Sequence, residues 1–388
     1  MPTLKAIAAS TLSLPAENYI YSITASAPGS FAAISSDDSL RVFDAANIDH
    51  VSVVSHKTHD GGVTSLRSYP AGDSQLLATG GREGTVKLWD VRAGNAVLEM
   101  EMSRHSAVLS LACSPETNTI VAGSELVSSQ AVVAFWDIRS SQAPRLQYVE
   151  SHNDDITERI RSSSMKRIAK ANLTPAPYVG PVVQLQYHPS RSNILLSGST
   201  DGLVNIYDTT VTDEDEALVQ VINHGSIHHA GFLSDRTIFA LSHDEDFAVH
   251  PATDPDEPGE GPEPVQFGDV REPLACEYVA QLCIGSQGPY MAAGNKIDQR
   301  LDLVPLVSSP TWQFDKDNTW RLPGAHGDEV VRAVYLDEQS QSVFTGGEDG
   351  YVRAWKPTED GDAQSQAGSA KTSRKDKKQK DQGRFKPY

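Results

Sequence analysis

The chain has 388 residues, of which 39% are hydrophobic, and a formal net charge of −18 at pH 7. That length fits two or three average domains or one large repeat domain, and no apolar run reaches the ~18 residues of a membrane span. The cysteines, Cys113, Cys276 and Cys283, are scattered and odd in number; they offer neither a disulfide framework nor a zinc site and point to a reducing compartment.

The charge is uneven. Residues 369–388 hold eight Lys/Arg and two Asp, so the preceding 368 residues carry −24. Within 211–264, 13 Asp/Glu stand against one Arg. Such a body repels phosphate, which disfavours a whole-domain grip on nucleic acid. It attracts a basic partner through its field, although acidity serves solubility equally well.

In chain order, MPTLKAIAASTLSLPAEN reads as a strand, because Ser and Thr break up what would be the apolar part of a signal peptide. A related phrase then recurs: SSDDSLRVFD (35–44), TGGREGTVKLWD (79–90), VVAFWDIR (132–139), SGSTDGLVNIYD (197–208), SHDEDFAVH (242–250) and TGGEDGYVRAWK (345–356). The anchors are Phe43, Trp89, Trp136, Tyr207, His250 and Trp355. The last gap is about two repeats long and hides a degenerate unit around 291–306. Seven units of roughly 40–50 residues have the period of propeller blades. Within a unit, VTSLRSY, LLATGG, TVKLWDV and AVLEMEM read as four short strands with tight turns.

These residues resemble the WD-repeat β-propellers. The order of SHNDDIT, LLSGSTDGLVNIYD, SHDEDF, GDVRE and TGGEDG is similar to the WD repeat-containing protein 89 group. The resemblance implies an all-β fold: a single seven-bladed propeller of four-stranded blades over 1–357. It also implies a hydrogen-bonded His–Ser/Thr–Asp–Trp chain locking each standard blade. The last unit holds all four residues: His326, Thr345, Asp349 and Trp355. The second has His59, Thr79 and Trp89 with Glu83 in place of Asp, and the fourth has Ser197 and Asp201 with Tyr207 in place of Trp. The third offers His105 and Trp136. These are structural fasteners and not a catalytic dyad. An open ring exposes strand edges, so a strand near Ala6–Leu14 is expected to close the last blade.

Three segments fall outside the pattern. ERIRSSSMKRIAKANLTPAPYVGP (158–181) is basic, and reads either as a protruding binding loop or as an insertion without structure, a gene-model artefact included. HPATDPDEPGEGPEP (250–264) reads as a disordered acidic loop. Residues 358–388 read as a disordered linker and basic tail, of the kind that serves nuclear import or is merely solvated.

No catalytic, cofactor or metal site is expected. His224, His228 and His229 cluster, but on a strand, and no carboxylate or Cys follows at ligand spacing. The first functional reading is a non-enzymatic scaffold, an escort or assembly factor for a ribosomal-protein-like or histone-like basic client. Asp213, Glu214, Asp215, Glu216, Asp244, Glu245 and Asp246 are its candidate contacts, since carboxylates pair with Arg and Lys. The alternative is a substrate receptor of a cullin-RING ubiquitin ligase. WDVR (89–92) and WDIR (136–139) resemble its adaptor-docking motif, with Arg92 and Arg139 as contacts. A monomer in the nucleus and/or cytoplasm, not secreted and not on a membrane, is expected, with nucleic acid met only through the tail.

Overall fold

A computed structural model describes residues 2–71, 74–127, 131–140, 143–149, 152, 184–254 and 262–358. The insertion at 158–181, residues 255–261 of the acidic loop and the tail from 359 onward lie outside the described residues.

Seven antiparallel sheets form a propeller. Each blade takes its strands in sequence from the centre outward. Blade one is Ile20–Ala27, Ser30–Ser35, Leu40–Asp44 and Val51–Ser55; blade two is Val63–Ala71, Ser74–Gly81, Thr85–Asp90 and Asn95–Glu101. Blade three is Val108–Ser114, Thr119–Ser124, Val133–Asp137 and Leu146–Tyr148; blade four is Gln184–Tyr187, Ile194–Gly198, Leu203–Asp208 and Leu218–Asn223. Blade five is Ile227–Ser234, Thr237–Ser242, Asp246–Pro251 and Val265–Asp269. Blade six is Tyr278–Gly285, Gly288–Asn295, Arg300–Val307 and Trp320–Pro323, with Gln313–Phe314 also paired to its third strand. The degenerate unit read around 291–306 is therefore a true blade, weak in sequence because Val304 stands where a Trp is usual. Blade seven is Val331–Asp337, Ser342–Gly347 and Val352–Pro357, completed by Leu4–Ser10.

The first strands touch in order around the centre, and the seventh touches the first. The core is seven apolar wedges, each between two adjacent blades. Leu88 and Trp136 belong to the wedge between blades two and three, Phe135 and Tyr207 to the next. Second strands lie inside the wedges, covered on both faces, so their burial is continuous: all of Thr119–Ser124 and of Ile194–Gly198 is buried. Outer strands such as Asn95–Glu101 are mostly exposed.

The paired glycines of the repeated phrase have separate causes. A Cβ on Gly80 would strike Val108 of the next blade, and one on Gly81 would strike the His59 ring of its own blade. The first glycine permits close packing between blades; the second makes room for the fastener.

The closing strand is Leu4–Ser10, a little before the expected Ala6–Leu14. It ends there because Leu12 and Ser13 take positive φ, 50° and 60°, and turn the chain toward blade one. Leu4 enters the wedge between blades six and seven, and Leu12 the wedge between seven and one. Among the described residues no helix is long and apolar enough to cross a membrane.

Candidate functional site

Blades two, four and seven carry the complete polar chain. In blade seven Trp355 Nε1 donates to Thr345 Oγ1 at 2.9 Å; that hydroxyl meets His326 Nε2 at 2.8 Å, and His326 Nδ1 meets Asp349 Oδ1 at 2.7 Å. In blade two Trp89 Nε1 donates to Thr79 Oγ1 at 2.8 Å, His59 Nε2 meets that hydroxyl at 2.8 Å, and His59 Nδ1 meets Glu83. In blade four His152 reaches Ser197 Oγ at 2.7 Å and Asp201 Oδ2 at 3.0 Å. His152 opens the fourth unit, and its partners lie 45 and 49 residues away, beyond the spacing that marks the fastener in the other units.

Burial holds the His326 imidazole below its ordinary pKa against the pull of Asp349. Burial pushes the Asp349 carboxyl up, but hydrogen bonds from His326, Arg353 and the Tyr351 amide outweigh it and hold it low. A neutral imidazole beside a carboxylate fixes the bond directions: indole to hydroxyl, hydroxyl to Nε2, Nδ1–H to Asp.

The other blades differ. His105 is exposed, and Trp136 Nε1 is buried with no hydrogen-bond partner, so the pair read in the third unit is not a fastener. The reason is Ala122, which occupies the register position of Thr79. Ala240 does the same in blade five, and His250 Nε2 is left without a partner. Blade one instead ties Asp37 to Arg41 at 3.0 Å, and blade six buries Asp302 against Arg321 at 2.8 Å.

The acidic candidates are not brought together. Asp213, Glu214, Asp215 and Glu216 lie between the third and fourth strands of blade four, whereas Asp244, Glu245 and Asp246 lie at the turn between the second and third strands of blade five. In an antiparallel sheet these connections sit at opposite strand ends. Asp213 caps a four-residue helix, Glu214–Ala217, by accepting from the amides of Asp215 and Glu216. Glu214 accepts from Val149 N at 2.7 Å, which pins the group to the rim between blades three and four.

The upper face, which carries the second-to-third-strand turns and the links between blades, holds a wider arc of acid on blades five to seven. Asp244, Asp246, Asp269, Glu272, Asp298, Asp328 and Glu329 are all exposed there. Asp269 is held by Arg271 at 2.6 Å and Asp298 by Arg300 at 3.3 Å; the other five have no cation within ion-pairing distance among the described residues. Ile297, 84% exposed, projects from the same arc.

Glu245 does not face outward with its neighbours. It is buried, with φ 63°, at the left-handed turn position filled by Gly84, Gly202 and Gly350 in other blades and by Asp38 in blade one. Asp38 Oδ1 accepts from Val63 N at 3.1 Å and Glu245 Oε1 from Val279 N at 3.2 Å. Each acid thus bridges from its own turn to the first strand of the next blade.

Beside Glu245 the mouth of the channel opens into a cavity of about 580 Å³, lined by His228, His229, His243, Tyr278 and Arg332 among others. The His228 and His243 rings lie 5.2 Å apart, while His224 packs instead near His250. Burial pushes the His228 and His229 imidazoles down to about 4 and about 3. Among the described residues no group of three or more His, Cys, Asp or Glu is placed to hold a metal ion.

Arg92 and Arg139 follow the third strands of blades two and three, at the end away from the acidic arc. Arg139 forks onto Asp137 of its own blade at 2.9 and 2.6 Å. The Arg92 backbone amide donates to Asp90 at 2.9 Å, and Arg92 lines the lower mouth of the channel.

The model of the WD domain, G-beta repeat, matches residues 51–90 and 316–356; the first takes in the outer strand of blade one and the first three strands of blade two, the second the outer strand of blade six and nearly all of the first three strands of blade seven. An uncharacterised WD repeat-containing protein of Schizosaccharomyces pombe is 32% identical over 72% of this chain and 79% of its own length. This chain belongs to the WD-repeat family. An uncharacterised WD repeat-containing protein of Saccharomyces cerevisiae is 35% identical over 70% of this chain, and the match spans 61% of that relative. The WD repeat-containing protein 89 homologue of Dictyostelium discoideum is 25% identical over 72% of the chain and 79% of its own length. As a WD-repeat propeller, the chain is a scaffold of the kind that mediates protein–protein interaction.

Proposed function

We propose that this propeller escorts or helps assemble a basic protein client, of ribosomal-protein or histone character, through the upper face of blades five to seven. The observation that carries this reading is the arc of exposed carboxylates, five of them without a cation partner among the described residues, around the exposed Ile297. Carboxylates free of local cations remain available for charge-assisted bonds to Arg and Lys. An aliphatic tip inside a charged rim supplies an apolar anchor. A nuclear site of action suits the basic tail and such a client.

The ligase-receptor reading draws less support, because Arg139 spends its guanidinium on Asp137. The test is affinity purification with the full chain at rising salt. Basic proteins should be recovered at low salt and lost as exposed charges are screened; recovery that does not depend on salt would refute the reading.

A further inference from the structure

The lower face, which carries the turns between first and second strands, opens into a groove between blades six and seven. Its walls are the turns at 285–288 and 337–342, together with Pro357 at the end of the last blade's third strand. Its floor is apolar. Leu4 and Leu303 are buried there, while Tyr290, Trp320 and Leu336 are half-buried and pack on the wedge beneath. The groove holds about 180 Å³, close to the ~150 Å³ cavity that takes up one benzene ring. Aromatic rings pair offset or edge-on, and Tyr290 and Trp320 offer such contacts to an incoming ring.

The rim is acidic. Asp337 and Glu338 stand on it, and no Lys or Arg lines the groove among the described residues. Neither acid has a cation within ion-pairing distance among those residues. Glu338 is exposed, and its Oε1 accepts from Ser286 N, which ties the two turns together. A ring-sized apolar seat with carboxylates on its rim suits an aromatic side chain flanked by cations.

The chain itself supplies such a segment. Pro357, in the groove wall, is followed by Thr358, the last described residue. Beyond it the sequence holds two aromatic residues, Phe385 and Tyr388, and Phe385 stands between Arg384 and Lys386. An extended chain gains ~3.3 Å per residue, so residues 359–384 reach back to the groove with length to spare. A segment joined covalently to its site meets it at an effective concentration on the order of 1 mM.

We propose that the groove between blades six and seven seats residues 384–388 of the same chain, with the Phe385 ring on the apolar floor and Arg384 and Lys386 against Asp337 and Glu338. The basic run at 371–380 is thereby tied to the lower face. Groove and acidic arc lie on opposite faces, so this contact is independent of the basic-client reading.

The first test is the full chain with Phe385→p-benzoylphenylalanine, irradiated at a dilution that suppresses contact between copies and mapped by mass spectrometry. Crosslinks are expected to 285–290, Trp320 and 336–343 of the same chain. Crosslinks mainly to the arc (244–246, 297–298, 328–329), between two copies, without preference, or none at all would each overturn the proposal. A second measurement keeps the natural ring. Fluorescein-labelled Gln-Gly-Arg-Phe-Lys-Pro-Tyr is titrated by anisotropy into the wild type and into Phe385→Ala/Tyr388→Ala, both full length. The variant's own segment no longer competes, so it should bind the peptide about tenfold more tightly, the factor that ~1 mM of tethered competitor gives at a ~100 μM site. Adding Glu338→Arg, a change at an exposed position, should weaken that binding about fivefold, the upper end for an exposed ion pair. Equal affinity of wild type and variant, binding indifferent to Glu338→Arg, or no binding of the peptide to the variant would also overturn it.

Discussion

Thr345 and Thr79 each serve two partners at once, an indole donor and an imidazole acceptor. Replacing either by Val keeps the shape and orphans both partners. Thr345→Val is expected to cost about 1–3 kcal/mol, the penalty for buried polar groups left unpaired, measured by denaturant unfolding. The same substitution has no counterpart in blade three, where Ala122 already leaves Trp136 unbonded. The buried histidines also set a pH dependence. His59, His326, His228, His229 and His250 are all held below the ordinary value of 6.5 by burial. Below that value the unfolded chain takes up protons that the folded chain refuses, so stability falls as pH drops. Glu83 and Asp349 are held low, and their contribution is lost at still lower pH. Melting temperature should therefore decline from pH 7.5 to 4.5; a flat profile would contradict the neutral-imidazole arrangement.

At the scale of elements, Leu4–Ser10 supplies the edge of blade seven, and its stretch buries Leu4 and Leu12 in the wedges on either side. Two buried leucines alone contribute about 3–6 kcal/mol. Deleting residues 2–12 should lower the unfolding midpoint of the whole ring and promote aggregation through the bared edge; a full-length midpoint in the truncated chain would contradict the closure. The blade count and this closure were legible because the repeat phrase marks the turn before each third strand. Blade six was legible only as a gap, since Val304 and Asp302 replace the usual residues and the buried Asp302 pairs with a part-exposed Arg321 instead. His105 misled because proximity in sequence to the start of a unit does not place a ring beside an acceptor. The split of the acidic candidates was hidden because a run of charge in sequence carries no record of which strand end each residue occupies. Glu245 looks like its neighbours in SHDEDF, yet a positive φ turns it inward.

For the whole molecule, the proposed function rests on one sector of one face. The arc on blades five to seven and the rim group Asp213–Glu216 have similar charge and different positions, so net charge alone would treat them alike. Ile297→Ser should weaken client recovery without shifting the melting temperature, because an 84% exposed side chain has little packing to lose. The most direct measurement is the affinity of an arginine- and lysine-rich decapeptide for three full-length proteins over a salt series. These are the wild type, an arc variant (Asp244→Asn, Asp246→Asn, Asp328→Asn, Glu329→Gln), and a rim variant (Asp215→Asn, Glu216→Gln). The arc variant is expected to bind weakly with a shallow salt dependence while the rim variant matches the wild type. Equal weakening by both variants, or by neither, would contradict it.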